Sequence, residues 1–300
     1  MSNGQQISST RELDCGTPTG NVVAYFAPLR RATPAGDALT ERARRVWSAG
    51  DYDRISTGFR HEAEAFVERR KLARGQQVLD AACGSGNLTI PAARAGAQVT
   101  GLDLVPALLE ATAARARREG LRITLRAGTV EELPFDDAQF DVVLSMFGLM
   151  FAARPERVLA ELARVTRPGG QVALANWTRA GFVGQMLAMH VARVPPPAEV
   201  PSPLLWGDAE AIHRRFDARL WDVATTVRSL TFRYPHTPAG TAELFRAAYG
   251  PTVRTFEALD EDRRASLAGD LTAHWTRHHP PSAPMTQVDA EYLEVVATRR

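Results

Sequence analysis

Between residues 77 and 177 short apolar segments alternate with amphipathic ones at regular spacing, and few folds tolerate that rhythm. Segments 77–80, 98–102, 122–127, 141–145 and 171–176 are short and rich in Val, Leu and Ala, as strands buried on both faces must be. Between them, 88–94, 106–118 and 155–166 carry helical patterning, the first two stopped by Gly96 and Gly120. Such β-α-β alternation predicts a parallel sheet covered by helices on both faces. The turn Arg167-Pro168-Gly169-Gly170 places Pro and Gly where a type II turn needs them.

Outside this stretch the pattern loosens. Residues 1–20 are polar and read as a flexible tail, and 22–45 is ambiguous because Pro28 and Pro34 interrupt it. Residues 40–72 are helical, broken near Gly50 and Gly58. After Trp177 come a Pro-rich irregular loop at 194–203, a short helix at 208–215 and a strand at 223–234. Helical segments at 241–248 and 253–268 follow, then a terminal strand at 291–298. The chain divides into a flexible tail (1–40), N-terminal helices over a ligand (41–75), a binding core (76–180), late core elements with a helical cap (181–285) and a closing strand (286–300).

Composition narrows the class. With 45% hydrophobic and 23% charged residues, the chain is an ordinary globular one. Cys15 and Cys83 are its only cysteines, which excludes a disulfide scaffold and fits a reducing compartment. The formal charge of +2 argues against nucleic acid or an anionic membrane as partner. The longest apolar run, 142–153, is too short to span a bilayer, and no export signal opens the chain, so a cytoplasmic protein is expected. No spacing suits a metal.

The chemistry lies in Val78-Leu79-Asp80-Ala81-Ala82-Cys83-Gly84-Ser85-Gly86-Asn87-Leu88, where a strand runs into a Gly loop and then a helix. Gly84 and Gly86 permit tight turning and close backbone approach to a ligand. A nucleoside-triphosphate loop would need Gly-Lys-Ser/Thr, and a dinucleotide fingerprint needs a third Gly where Thr89 stands. A carboxylate at the strand end, Asp80, repels a diphosphate and attracts a ligand bearing an ammonium and a sulfonium. That is the charge pattern of S-adenosylmethionine. Asp103 ends the next strand, 23 residues on, where a carboxylate accepts both ribose hydroxyls.

These motifs, with Gly101-Leu102-Asp103, Glu132-Leu133-Pro134-Phe135, Phe140-Asp141-Val142-Val143 and Arg164-Val165-Thr166-Arg167-Pro168-Gly169-Gly170, resemble the class I S-adenosylmethionine-dependent methyltransferases. The resemblance is to the branch holding ubiquinone/menaquinone-type and bacterial natural-product enzymes. It implies a Rossmann-like α/β fold: a seven-stranded, mostly parallel sheet with the last strand antiparallel, plus a helical cap. It places Asp80, Ala82, Gly84 and Gly86 around the methionine moiety, and Asp103 and Leu104 at ribose and adenine. Thr129 and Val130 fall at the adenine edge, with Ser145 and Met146 below the cofactor. Three positions depart from the family pattern. Ala82 replaces a common Gly, Thr129 replaces an acid, and Met150-Phe151 stands where many relatives have two histidines.

The acceptor's surroundings are read from the residues alone. Phe147, Met150, Trp177, Met186 and Trp206 are candidates for an apolar wall. His190, in an apolar helix after Met186 and Met189, and Tyr52 are candidates for catalysis. The other histidines, His61, His213, His236, His274, His278 and His279, fit surface or structural roles. The reading is methyl transfer to a small molecule in bacterial secondary metabolism, by an enzyme free to be a homodimer. A tRNA or protein methyltransferase, or a cofactor-binding protein repurposed as a cyclase, remains the alternative.

Overall fold

In the computed structural model, Val23–Tyr25 and residues 34–300 are described, with side chains from Ala38 onward. The polar tail at 1–20, Cys15 included, lies outside the described residues. Among the described residues eight strands form one sheet: β1 Val23–Tyr25, β2 Gln77–Ala81, β3 Gln98–Asp103, β4 Ile123–Ala127, β5 Phe140–Met146, β6 Thr166–Trp177, β7 Trp221–Tyr234 and β8 Thr286–Arg299. Their order is β1-β4-β3-β2-β5-β6-β8-β7. β2 to β6 pair in parallel, and β8 runs antiparallel to both β6 and β7. The expected seven-stranded sheet with its last strand reversed is therefore present. A three-residue strand, β1, adds to its β4 edge within the ambiguous N-terminal stretch.

The helices are α1 Pro34–Trp47, α2 Tyr52–Ser56, α3 Arg60–Glu68, α4 Thr89–Arg94, α5 Pro106–Arg118, α6 Pro155–Val165, α7 Phe182–Arg193, α8 Ala209–Arg215, α9 Pro238–Ala248, α10 Gly250–Glu257 and α11 Glu261–His278. α1 begins at Pro34, inside the stretch assigned to the tail. All seven residues of β5 are buried, as a strand covered on both faces requires. The Arg167–Gly170 turn does not precede its strand. It is a loop-out within β6, whose partner register jumps from Phe140↔Thr166 to Val142↔Gln171, with Gly169 at φ 75°.

The chain builds outward from β2 to β3 and β4, then returns to β5 on the other side of β2. That reversal opens a crevice at the carboxyl ends of β2 and β5, the standard ligand position in such sheets. α1 and α2 lie across this end and dock on the α9–α10 corner. The Asp51 amide donates to the Ala248 carbonyl at 2.9 Å. Gly50 makes the approach possible, since a Cβ there would stand 2.1 Å from that carbonyl oxygen.

Candidate active site

The Gly loop is held from outside, leaving its inner face for a ligand. Thr112 of α5 donates to the Gly84 carbonyl at 2.8 Å. Arg115 donates to the Ser85 carbonyl at 2.6 Å and to Asn87 Oδ1 at 2.9 Å. Gly86, at φ 86°, could not carry a side chain: a Cβ would fall 2.7 Å from Thr112 Cγ2. Its role is to let α5 close on the loop, and it does not line the cleft.

Asp80 and Asp103 face the cleft from the ends of β2 and β3. Asp80 is 1% exposed and accepts the Thr89 hydroxyl at 2.6 Å. Asp103 is 7% exposed and accepts from the Gly84 amide at 2.8 Å and the Val105 amide at 2.9 Å. Neither has an ion-pair partner in the described structure. Burial pushes the Asp80 carboxyl up to about 7 and raises that of Asp103 above the usual carboxylate range. Two buried carboxylates without a counter-cation make a site for a cation.

Opposite them, Met146, Phe147 and Gly148 continue from β5. Ala82 (φ 60°) and Phe147 (φ 57°) both occupy the left-handed region, so backbone strain gathers where the β2 and β5 ends meet. Ala82, Leu104, Thr129, Val130 and Met146 line the cleft as expected. The Thr129 hydroxyl is engaged locally, accepting from the Glu131 amide at 3.2 Å. Glu131 itself lines the cleft, buried and paired with Arg154, which the sequence reading missed. Ser145 does not line it: its hydroxyl donates to the Ala81 carbonyl at 2.6 Å, tying the two strand ends together. Cys83 packs against Gly101 and is buried, a small filler as read.

Behind the cleft lies a second, aromatic chamber. Trp47, Tyr52, Phe59 and Phe147 border both spaces. Trp177, Met186, Val183, Phe245, Tyr249 and Ile55 complete the chamber, which brings together Phe147, Trp177 and Met186, three of the candidates for an apolar wall. Phe147 stacks on Trp177 with ring centroids 3.5 Å apart. The void is about 10 Å³, close to one water, so a guest enters only if side chains move.

Other candidates are elsewhere. Met150 is fully buried outside both spaces, and its neighbour Phe151 lines the cleft instead. Trp206 is core, with Arg215 over its ring. None of the seven histidines borders either space. His190 sits 3.2 Å from the Thr252 hydroxyl, between α7 and α10, and burial lowers its pKa to about 4. The irregular loop at 194–203 touches neither space.

Residues 79–174 match the methyltransferase domain family. An uncharacterised protein of Mycobacterium tuberculosis is 37% identical over 233 residues, 76% of this chain and 85% of that one. The ubiquinone biosynthesis O-methyltransferase of Maricaulis maris is 39% identical over 106 residues, 35% of this chain and 42% of its own. The solved YcgJ protein of Bacillus subtilis shares the fold, with a TM-score of 0.55 at 16% identity over 80% of this chain and 99% of that one. The chain belongs to the class I S-adenosylmethionine-dependent methyltransferases. The methyltransferase's two buried carboxylates fit its cofactor, which brings an ammonium, a sulfonium and a pair of ribose hydroxyls. When bound, the cofactor supplies a methyl group already activated by the sulfonium. Among the described residues no helix is long and apolar enough to cross a membrane.

Proposed function

We propose that this methyltransferase transfers the methyl group to a small, largely apolar molecule held in the aromatic chamber. The observation that carries this reading is the chamber itself: ten residues, none charged, sharing four aromatic walls with the cofactor cleft. In this reading Asp103 holds the ribose hydroxyls, Asp80 faces the ammonium, and Leu104, Thr129 and Val130 surround the adenine. Gly84 brings the backbone against the methionine moiety, and Met146 and Phe147 hold the reacting end. The protein contributes positioning and exclusion of water, which suffice for an in-line displacement at an activated methyl. With no histidine beside either space, an acceptor that is already a good nucleophile suits the site best. The low net charge supports a small acceptor over a nucleic acid, and a place in bacterial secondary metabolism fits such an acceptor.

Mass spectrometry of extracts from protein purified out of its native host identifies the acceptor. Met186→Trp then overfills the chamber and displaces its walls, with the melting temperature and cofactor affinity showing that the fold and the cleft are kept. Methyl transfer should fall at least about tenfold while cofactor affinity, measured by calorimetry, stays within about twofold. Unchanged turnover would place the acceptor elsewhere.

A further inference from the structure

Four of the five tyrosines have described side chains, and they divide into two kinds. The Tyr234 hydroxyl donates to the Ile55 carbonyl at 2.6 Å, and that of Tyr292 donates to Glu62 at 2.6 Å. Tyr52 and Tyr249 have no hydrogen-bond partner among the described residues, and both border the aromatic chamber. Tyr249 is only 4% exposed. Neither hydroxyl is among the fully enclosed polar atoms that lack a partner, so each keeps an open side on which a hydrogen-bond partner from outside the protein can sit. Trp47 stands between the two, its ring edge-on to Tyr52 at 5.7 Å and to Tyr249 at 5.9 Å.

We propose that the Tyr52 and Tyr249 hydroxyls form the polar end of the acceptor subsite, and that the acceptor is a neutral, apolar ring compound bearing an oxygen function that they engage. The proposal rests on the chamber being the acceptor site. A ring matches walls made of Trp47, Phe147 and Phe245, on which flat faces and edges pack. A carboxylate or an ammonium on the acceptor would meet no opposite charge among the chamber's residues. Burial raises both phenols well above their ordinary pKa, so they stay protonated and offer hydrogens to an acceptor oxygen. They are positioning donors. The family's adenosine-binding residues leave this end of the acceptor site unassigned, and these two hydroxyls fill it.

The test uses binding, with the protein saturated in S-adenosylhomocysteine and calorimetry as readout. The probes are 2-naphthol, 2-methylnaphthalene of the same shape, and the charged 2-naphthoate. The wild type should bind 2-naphthol about tenfold tighter than 2-methylnaphthalene, the effect of one or two neutral hydrogen bonds, and 2-naphthoate at least about tenfold weaker than 2-naphthol. Tyr249→Phe and Tyr52→Phe keep the rings and should each lose part of the naphthol advantage. The double variant should bind 2-naphthol and 2-methylnaphthalene alike, with 2-methylnaphthalene affinity unchanged from wild type. Equal affinities in the wild type, or an advantage that survives the double substitution, would overturn the hydroxyl assignment. Met186→Trp separates this from the chamber reading: it should abolish binding of both neutral probes. If it leaves both untouched, or if neither probe binds the wild type, the chamber reading itself falls.

Discussion

Replacing Asp80 with Asn isolates the cost of the buried negative charge. The carboxyl ends β2, is 1% exposed and has the Thr89 hydroxyl at 2.6 Å as its side-chain partner. Burial first, and the nearby Asp103 to a lesser degree, push its pKa from 3.8 to about 7. The folded protein thus binds this proton more tightly than the unfolded chain does. The sign follows: the group's contribution is neutral below about pH 4, becomes destabilising as pH rises to about 7, and is constant above. At about 1.4 kcal/mol per unit, a shift of about three units is worth at most about 4 kcal/mol above pH 7. Asn keeps an oxygen to accept from Thr89 and does not ionise. Urea denaturation of both proteins without cofactor, from about pH 4.5 to 8.5, should show the variant gaining on the wild type through this window and levelling above it. Taking the difference between the two cancels the titrating groups not coupled to Asp80; the repulsion with Asp103 is lost with the charge and acts in the same direction. A difference flat in pH would refute the reasoning. With cofactor the order inverts: the wild type should bind more tightly as pH rises through about 7 and release up to one proton on binding below it. Asp80→Asn should release fewer protons and bind more weakly, read by calorimetry in buffers of different ionisation enthalpy.

Asp103→Asn leaves one oxygen to serve the Gly84 and Val105 amides, so it should lower the melting temperature by a few degrees. Cofactor affinity should fall at least about tenfold by calorimetry, from the loss of charge-assisted bonds. Ala82→Gly relieves a left-handed alanine and should stabilise the protein by up to about 1 kcal/mol in urea denaturation. His190→Gln should leave the pH profile of methyl transfer in place, since a buried imidazole with pKa about 4 and no contact with either cavity does not titrate in the reaction. A displaced profile would restore it as a catalytic candidate.

The parallel part of the sheet was legible because β2 to β5 are short, apolar runs set between helical segments, and each lies within a residue or two of its expected place. Asp80 and Asp103 were legible as cleft-facing residues because they close neighbouring parallel strands, whose carboxyl ends border the crevice. Ser145 was not, because adjacent residues at a strand end point to opposite sides, and the sequence does not say which side is the cleft. Met150 was not, because it sits in a single 3-10 turn, 149–151, beyond β5, and how that turn docks decides which side chain meets the cleft. Ser145 turned to bind the Ala81 carbonyl, and Phe151 took the wall in place of Met150. His190 misled because it shares the face of α7 that covers the chamber through Val183 and Met186, but lies a turn beyond Met186, where it meets Thr252 instead. Tyr249 carried no local signal. It reaches the chamber only because the α9–α10 corner folds back onto the Gly50 turn, a contact about two hundred residues apart in sequence.

A crystal structure with S-adenosylhomocysteine tests the central claim most directly. The ribose hydroxyls should lie within hydrogen-bonding distance of the Asp103 carboxylate and the amino-acid end against the Asp80–Gly84 segment. The sulfur should face the wall shared by Tyr52 and Phe147. Density for the ligand away from the β2–β5 crevice, or a ribose without contact to Asp103, would contradict the account.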